Sequence, residues 1–381
     1  MKRSYEEINQ KIAAGEAVVM TAEEVSRLAE SEGPETVAKN VDVVTTATFG
    51  PMCSSGAFIN FGHPDPAMRM EHITLNGVEA YGGIAAVDAY IGATQESATD
   101  PRYGGAHVIE DLIAGKDVRL KASGKGTDCY PRREIETVIN RDSINEMFLF
   151  NPRNAYQNYP AATNSTAKTK YTYMGVLKPK CGNVNYSTSG ELSPLLNDPD
   201  LRTIGIGTRI FLCGAQGYVS WYGTQFRTAS ERNEYGIPLT QSATLAVIGD
   251  MKEMSPEFIK AAYYKKYGVS MFIGIGIPIP VLDDDMARRV CIRNRQIDTC
   301  IRDYGLPGNP VLTTANYEQL QRGKILLNGK ETPTAPMSSL KKARRIAETL
   351  KEQIRNKHFF LTEPVQAFPE GTTLKTLRDG T

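Results

Sequence analysis

Two cysteines stand where a thiol could do chemistry. Cys53 lies in Thr48-Phe49-Gly50-Pro51-Met52-Cys53-Ser54-Ser55-Gly56. Val41, Val43 and Val44 before it read as an apolar strand, and Gly50-Pro51 reads as its end. On a loop that follows, a thiol meets free backbone N–H groups and small hydroxyls, which favour the thiolate. Cys129 lies in Gly124-Lys125-Gly126-Thr127-Asp128-Cys129-Tyr130-Pro131-Arg132-Arg133. Its two glycines predict an exposed loop, and Lys125, Arg132 and Arg133 supply positive charge that also favours a thiolate. The blander alternatives are a buried inert thiol at 53 and a merely solvated basic loop at 129. Of the other four cysteines, Cys213 and Cys291 sit among apolar neighbours and read as core thiols. Cys181 follows Lys178-Pro179-Lys180 on a loop with nothing to pair with, and Cys300 has no motif.

Other chemistries find less support. No C-x2-C occurs, which disfavours a cluster or structural zinc built within the chain. The four histidines, His63, His72, His107 and His358, make no metal-ligand spacing. His63 follows Cys53 closely in sequence and is a candidate proton donor to a developing alkoxide. Gly205-Ile206-Gly207, Gly214-Ala215-Gln216-Gly217 and Gly274-Ile275-Gly276 match neither a dinucleotide fingerprint nor a P-loop. Such glycines suit strands that pack closely. Asp283-Asp284-Asp285 reads as an acidic turn capping the next segment rather than a cation site.

These side chains need a scaffold. The chain has 381 residues, enough for one large domain or a few smaller ones, with 44 basic and 43 acidic side chains. A net charge of +1 gives no global field for nucleic acid or an anionic membrane. With no long apolar run, no secretory signal and scattered cysteines, the chain reads as a cytoplasmic protein. Residues 4–14, 21–31, 107–115 and 255–267 read as helices, the second opened by a Thr21/Glu24 capping box. Residues 83–93 read as a tightly packed helix, with a buried strand pair as the alternative. Strand-like stretches dominate 170–282. Residues 329–337 read as a linker to an amphipathic helix with Leu340, Ala343, Ile346, Ala347, Leu350 and Ile354 on one face.

The fold class is therefore α/β or α+β: a mixed β-sheet core with flanking helices and a C-terminal amphipathic helix. We divide it into an N-terminal α/β part carrying both cysteines (1–150) and a glycine-rich β/α part completing one catalytic unit (151–330). A C-terminal helix and closing segment (338–365) and a flexible tail (366–381) follow. The turn-rich run 151–170 is either a long functional loop or the internal boundary.

The run TTATFGPMCSSGAFINFGH and the stretch LNGVEAYGGIAAVDAYIGAT resemble the homocysteine-biosynthesis family, the L-aspartate semialdehyde sulfurtransferases. GELSPLLNDPDLRTIGIGTRIFL, GDMKEMSPEFIKAA, IGIGIPIPVL and KHFFLTEPV extend the resemblance from near residue 3 to about 369. It implies sulfur insertion into L-aspartate semialdehyde, with reduction, to form L-homocysteine through a cysteine persulfide. By resemblance Cys129 is the first choice for the persulfide carrier and Cys53 for its partner, with the two roles exchangeable. A short form without C-terminal regulatory domains is expected.

No cofactor or metal site is evident within the chain, so the resemblance implies an external low-potential electron donor, a separate ferredoxin-like iron–sulfur protein. The basic face of the C-terminal helix (Lys341, Lys342, Arg344, Arg345, Lys351, Arg355) is a candidate dock for it. Sulfide or a persulfide is the sulfur donor, and a homo-oligomer is left open. A substrate bearing a carboxylate and an ammonium needs polar contacts. We nominate Asn185 and Glu191 in the uncharged polar run 183–191, Arg209, and Arg132 of the Cys129 loop. The rival readings are a persulfide carrier or assembly scaffold, and an acyl- or CoA-transferase-like enzyme.

Overall fold

The computed structural model describes residues 2–378. A fourteen-stranded mixed sheet dominates it, with thirteen strands in one continuous order. From one edge these are Val19–Thr21, Val43–Pro51, Gly268–Pro280, Arg209–Leu212, Ala215–Tyr222, Leu245–Asp250, Glu146–Asn154, Gly56–Asn60, Asp88–Gly92, Val78–Tyr81, His72–Leu75, Val118–Ser123 and Glu134–Ile139. Strand Ile259–Tyr264 pairs beside Gly268–Pro280. A six-stranded sheet (Val311–Asn316, Asp298–Asp303, Ala161–Thr163, Val184–Tyr186, Lys330–Pro336, Lys324–Leu327) and the hairpin Lys170–Thr172/Gly175–Leu177 complete the β structure.

The large sheet must curl. Val43–Pro51 and Gly56–Asn60 are six strand spacings apart in its order, roughly 29 Å if it were flat. The chain joins them in five Cα steps, which span at most about 18 Å. Curling brings both strands to the loop Met52–Ser55 that carries Cys53. The strand before it runs through Gly50 and Pro51 instead of ending there, because Pro51 pairs with Phe272 at a position that needs no donor. Thr45, Thr46 and Thr48 continue the β-branched run, and every residue from Val43 to Gly50 is buried.

Helices Tyr5–Ala14, Ala22–Glu32, Gly105–Ile113 and Leu340–Arg355 match the expected ones, and Thr21 and Glu24 form the capping box. The last helix buries Ala343, Ile346, Ala347, Leu350 and Ile354 against Val43–Pro51 and Gly268–Pro280. Gly274 makes this possible: a Cβ there would lie 2.7 Å from Ile346 Cδ1, so the bare backbone admits the helix.

Several expectations are corrected. Residues 255–267 hold the strand Ile259–Tyr264, in which Ile259 and Ala261 point inward and Lys260 outward; tertiary pairing overrides helix propensity. Residues 83–93 give the strand Asp88–Gly92. The linker at 329–337 is the strand Lys330–Pro336, returned through Asn328-Gly329, both at positive φ, a hairpin signal overlooked. The tail is anchored at least as far as Thr372. Phe368 is buried against Tyr222 and Phe226, and the Thr372 carbonyl accepts from the amides of Thr228 and Ala229. Strand Glu146–Asn154 runs across the 150/151 position. Asp283 caps the short helix Asp284–Arg289 by accepting from the Met286 amide and pairs with Arg202, as an acidic turn should.

Candidate active site

Cys53 sits in a tight turn, where the Ser55 amide donates to the Met52 carbonyl at 3.1 Å. Three polar anchors fix that turn. Ser55 Oγ donates to Met52 O at 2.6 Å, Ser54 Oγ reaches Arg153 O and Asn151 Oδ1 at 3.0 Å, and Asn151 Nδ2 donates to Ser55 Oγ at 2.9 Å. Asn151 is fully buried and also accepts from the Arg153 amide at 2.7 Å. The turn is thereby tied to the neighbouring strand Glu146–Asn154 at the point from which Arg153 projects.

Cys53 is exposed on the rim of a cavity of about 270 Å³ where the three sheets meet. The large sheet contributes Cys53, Ser54 and Arg153, and the turn before Gly268–Pro280 contributes Tyr267. The small hairpin supplies Tyr173 and Met174, and the six-stranded sheet supplies Ser187 and Met337 just past its strands. Tyr156 and Tyr159 close the wall. Tyr267 shares this wall with Cys53, and burial first, then the nearby Cys53 side chain, raises its pKa above the ordinary phenol value. Tyr159, Tyr173 and Tyr304 form a hydroxyl chain at 3.0 and 2.8 Å. Burial raises the pKa of Tyr159 and Tyr304 well beyond the ordinary phenol value. The result is a wall of neutral O–H groups beside a thiol.

Cys129 stands elsewhere. It is exposed at the tip of the hairpin between Val118–Ser123 and Glu134–Ile139, in a turn where the Thr127 and Tyr130 backbones exchange hydrogen bonds. Four strand steps and the length of strand Gly56–Asn60 lie between this tip and Cys53 in the sheet, and Cys129 does not line the Cys53 cavity. His63 lies with Cys129, not with Cys53: its ring stacks on Tyr130 at 5.7 Å, beyond the far end of Gly56–Asn60. Its placement in the Cys53 region is corrected, because the intervening strand carries the chain away from the turn. Arg132 donates to the carbonyls of Glu134 and Asp65 and braces the hairpin.

The other nominated contacts lie outside the wall of the Cys53 cavity. Asn185 is buried, donates to Met174 O at 2.6 Å and so backs a residue that lines the cavity. Glu191 accepts from the Asn294 amide at 3.0 Å, and burial raises its pKa. Arg209 donates to Phe360 O and its amide to Thr362 Oγ1, tying down the closing segment. Cys181, Cys213 and Cys300 are buried; burial pushes the thiols of Cys213 and Cys291 up to about 12. On the C-terminal helix, Arg344 pairs with Glu23, Lys351 with Glu24, and Lys342 with Glu257, so much of its basic face is engaged within the chain.

Sequence reasoning missed Arg153, Tyr156, Tyr159, Tyr173 and Tyr267. The signal available was the run 151–170, poor in aliphatic residues yet carrying an arginine and two tyrosines directly after a strand. Among the described residues no cluster of three or more His, Cys, Asp or Glu side chains is placed to hold a metal, and no helix is long and apolar enough to cross a membrane.

Comparison with known proteins places this geometry. The family described as homocysteine biosynthesis enzyme, sulfur-incorporation, matches residues 17–361. A protein of Methanocaldococcus jannaschii named L-aspartate semialdehyde sulfurtransferase is 51% identical over 95% of this chain and 72% of its own length. One of the same name from Methanosarcina acetivorans is 48% identical over 99% of this chain and 74% of its own. An uncharacterized protein of Methanothermobacter thermautotrophicus is 28% identical over 85% of this chain and 73% of its own. No solved structure matches. With the match running through both cysteine loops and every sheet, the chain belongs to the sulfur-incorporating homocysteine-biosynthesis family and is a sulfurtransferase enzyme.

Proposed function

We propose that the chain inserts sulfur into L-aspartate semialdehyde to form L-homocysteine at the Cys53 cavity. The observation that carries this reading is an accessible thiol that shares, with the phenol of Tyr267, the wall of a pocket large enough for a four-carbon amino acid. The relatives' printed names supply the substrate.

The atoms and electrons balance as follows. Aldehyde, hydrogen sulfide, two electrons and two protons give the primary thiol and water. When the sulfur arrives already at the persulfide level, two further electrons and two further protons are needed. A Cys53 persulfide adds its terminal sulfur to the aldehyde carbon, Tyr267 donating a proton to the oxygen that becomes a hydroxyl. Two electrons and two protons then cleave the S–S bond and return the Cys53 thiol. Water leaves to give a thioaldehyde, and two more electrons and two more protons reduce it to the primary thiol. The electrons come from an external low-potential donor of the ferredoxin class.

Cys129 suits the carrier role because an exposed hairpin tip can meet a protein persulfide donor, its sulfur attacking the donor's outer sulfur while the donor thiol leaves. Hand-over to Cys53 then occurs between copies of the chain or through movement of the hairpin. A cytoplasmic, reducing setting fits this free-thiol chemistry.

The test is anaerobic incubation with a persulfide donor, or with sulfide alone as the comparison, together with L-aspartate semialdehyde and a low-potential reductant, with product thiols alkylated and identified by mass spectrometry. Homocysteine from the wild type, lost in Cys53→Ala, supports the proposal. Undiminished homocysteine from a folded Cys53→Ala protein would refute this site.

A further inference from the structure

Among the described residues Arg153 brings the only charged side chain to the wall of the Cys53 cavity, and no carboxylate of theirs lines it. Among the described residues Arg153 forms no ion pair, although guanidinium groups elsewhere commonly do, as at Arg202, Arg293 and Arg344. It is nevertheless held in place. Its amide and carbonyl are fixed by Asn151 and Ser54, its Nε donates to Thr224 Oγ1 at 3.0 Å, and it shares the cavity wall with Tyr156. An arginine oriented by neutral partners keeps its full charge and part of its donor edge for a ligand.

We infer that Arg153 is the carboxylate subsite of the Cys53 cavity, binding the α-carboxylate of an amino-acid aldehyde while its carbonyl carbon faces the Cys53 sulfur. This deepens the proposed function and rests on the same cavity. An acid-free wall with one cation selects an anionic substrate, and the rings of Tyr156, Tyr159 and Tyr173 are left for the aliphatic chain and the ammonium group. Asn185, Glu191 and Arg209 do not share this wall, so Arg153 takes the role for which they were nominated.

The experiment is chosen to work without turnover. Cys53 in the wild type, Arg153→Met and Arg153→Lys is alkylated with iodoacetate, an anion, and with iodoacetamide, its neutral counterpart, and the modified peptide is quantified by mass spectrometry. A carboxylate subsite beside the thiol favours iodoacetate, so the iodoacetate-to-iodoacetamide rate ratio at Cys53 should fall roughly tenfold in Arg153→Met. Arg153→Lys, which keeps the charge but loses the planar fork, should retain part of the preference and serves where the methionine variant is unstable. The ratio at Cys129 should not move. An unchanged Cys53 ratio in either folded variant overturns the inference.

In turnover, KM for L-aspartate semialdehyde should rise roughly 10- to 100-fold in Arg153→Met. Absence of homocysteine from the wild type would sink the proposed function alone, because the alkylation ratio would still decide the subsite.

Discussion

Replacing Asn151 by alanine should loosen the Cys53 turn without touching the thiol. Asn151 is fully buried and makes three contacts: it donates to Ser55 Oγ at 2.9 Å and accepts from Ser54 Oγ at 3.0 Å and the Arg153 amide at 2.7 Å. The two serines keep second partners in the Met52 and Arg153 carbonyls, so each loss there is modest, about 1 kcal/mol or less. The part-buried Arg153 amide loses its side-chain acceptor, and a donor left unpaired there costs about 1–3 kcal/mol. We expect a total destabilisation of about 2–4 kcal/mol, read from denaturant unfolding at unchanged m-value. Turnover at permissive temperature should fall because both Cys53 and Arg153 are placed through this side chain. Alkylation of Cys129 should stay at the wild-type rate, which separates local from global damage. A loss below about 0.5 kcal/mol, the range of an ordinary surface change, would refute the argument that Asn151 ties the turn to its neighbouring strand.

Three further outcomes are expected. Tyr267→Phe should lower kcat roughly 100-fold while leaving sulfane loading of Cys53 intact by mass spectrometry, since it removes a proton donor and not the nucleophile. Glu191→Gln should stabilise the protein at neutral pH but not near pH 4. Burial raises the folded-state pKa of Glu191 above its ordinary 4.5, so the wild-type contribution is fully present below that value and is lost as pH rises through the folded one. Thermal unfolding across pH 4–8 would show no growing gap between the two proteins if this is wrong. Finally, Cys129 lies four strand steps from the strand after Cys53 and outside the Cys53 cavity, so hand-over between copies predicts complementation. Mixed Cys53→Ala and Cys129→Ala proteins, allowed to exchange subunits, should regain up to about a quarter of wild-type activity, as randomly reassorted dimers would. No recovery despite demonstrated exchange would favour hairpin movement within a chain.

What could be read from the sequence was what local chemistry decides. The Thr21/Glu24 box, the stripe Ala343, Ile346, Ala347, Leu350, Ile354 and the exposed loop of Cys129 each depend on neighbours a few residues away, and each is found as expected. The strand at 259–264 was misjudged because its helix-forming alanines and lysines are overruled by pairing with Gly268–Pro280. The site depended on contacts of long sequence separation. Tyr267 reaches Cys53 across more than two hundred residues only because Val43–Pro51 pairs with Gly268–Pro280, and no local pattern encodes that pairing. His63 erred in the opposite direction: ten residues from Cys53 in sequence, it is carried to the far end of the strand between them.

The same topology bears on which group serves as the acid. Carbonyl oxygen must leave as water, so the site needs a donor that stays protonated at working pH beside a sulfur that stays ionisable. A histidine with an ordinary pKa near 6.5 would be mostly deprotonated at neutral pH. With His63 stacked on Tyr130 away from the cavity, the phenols remain. Burial raises the pKa of Tyr267, and negative charge on the nearby Cys53 sulfur would raise it further, so charge on the nucleophile favours the proton on its neighbour. Once the sulfur has bonded to carbon that negative charge passes to the former carbonyl oxygen, and the phenol is already within reach to meet it. A cavity walled by tyrosines thus supplies both acid and shelter without a titrating imidazole, and the pH–rate profile on its alkaline side should follow the phenol and not a histidine.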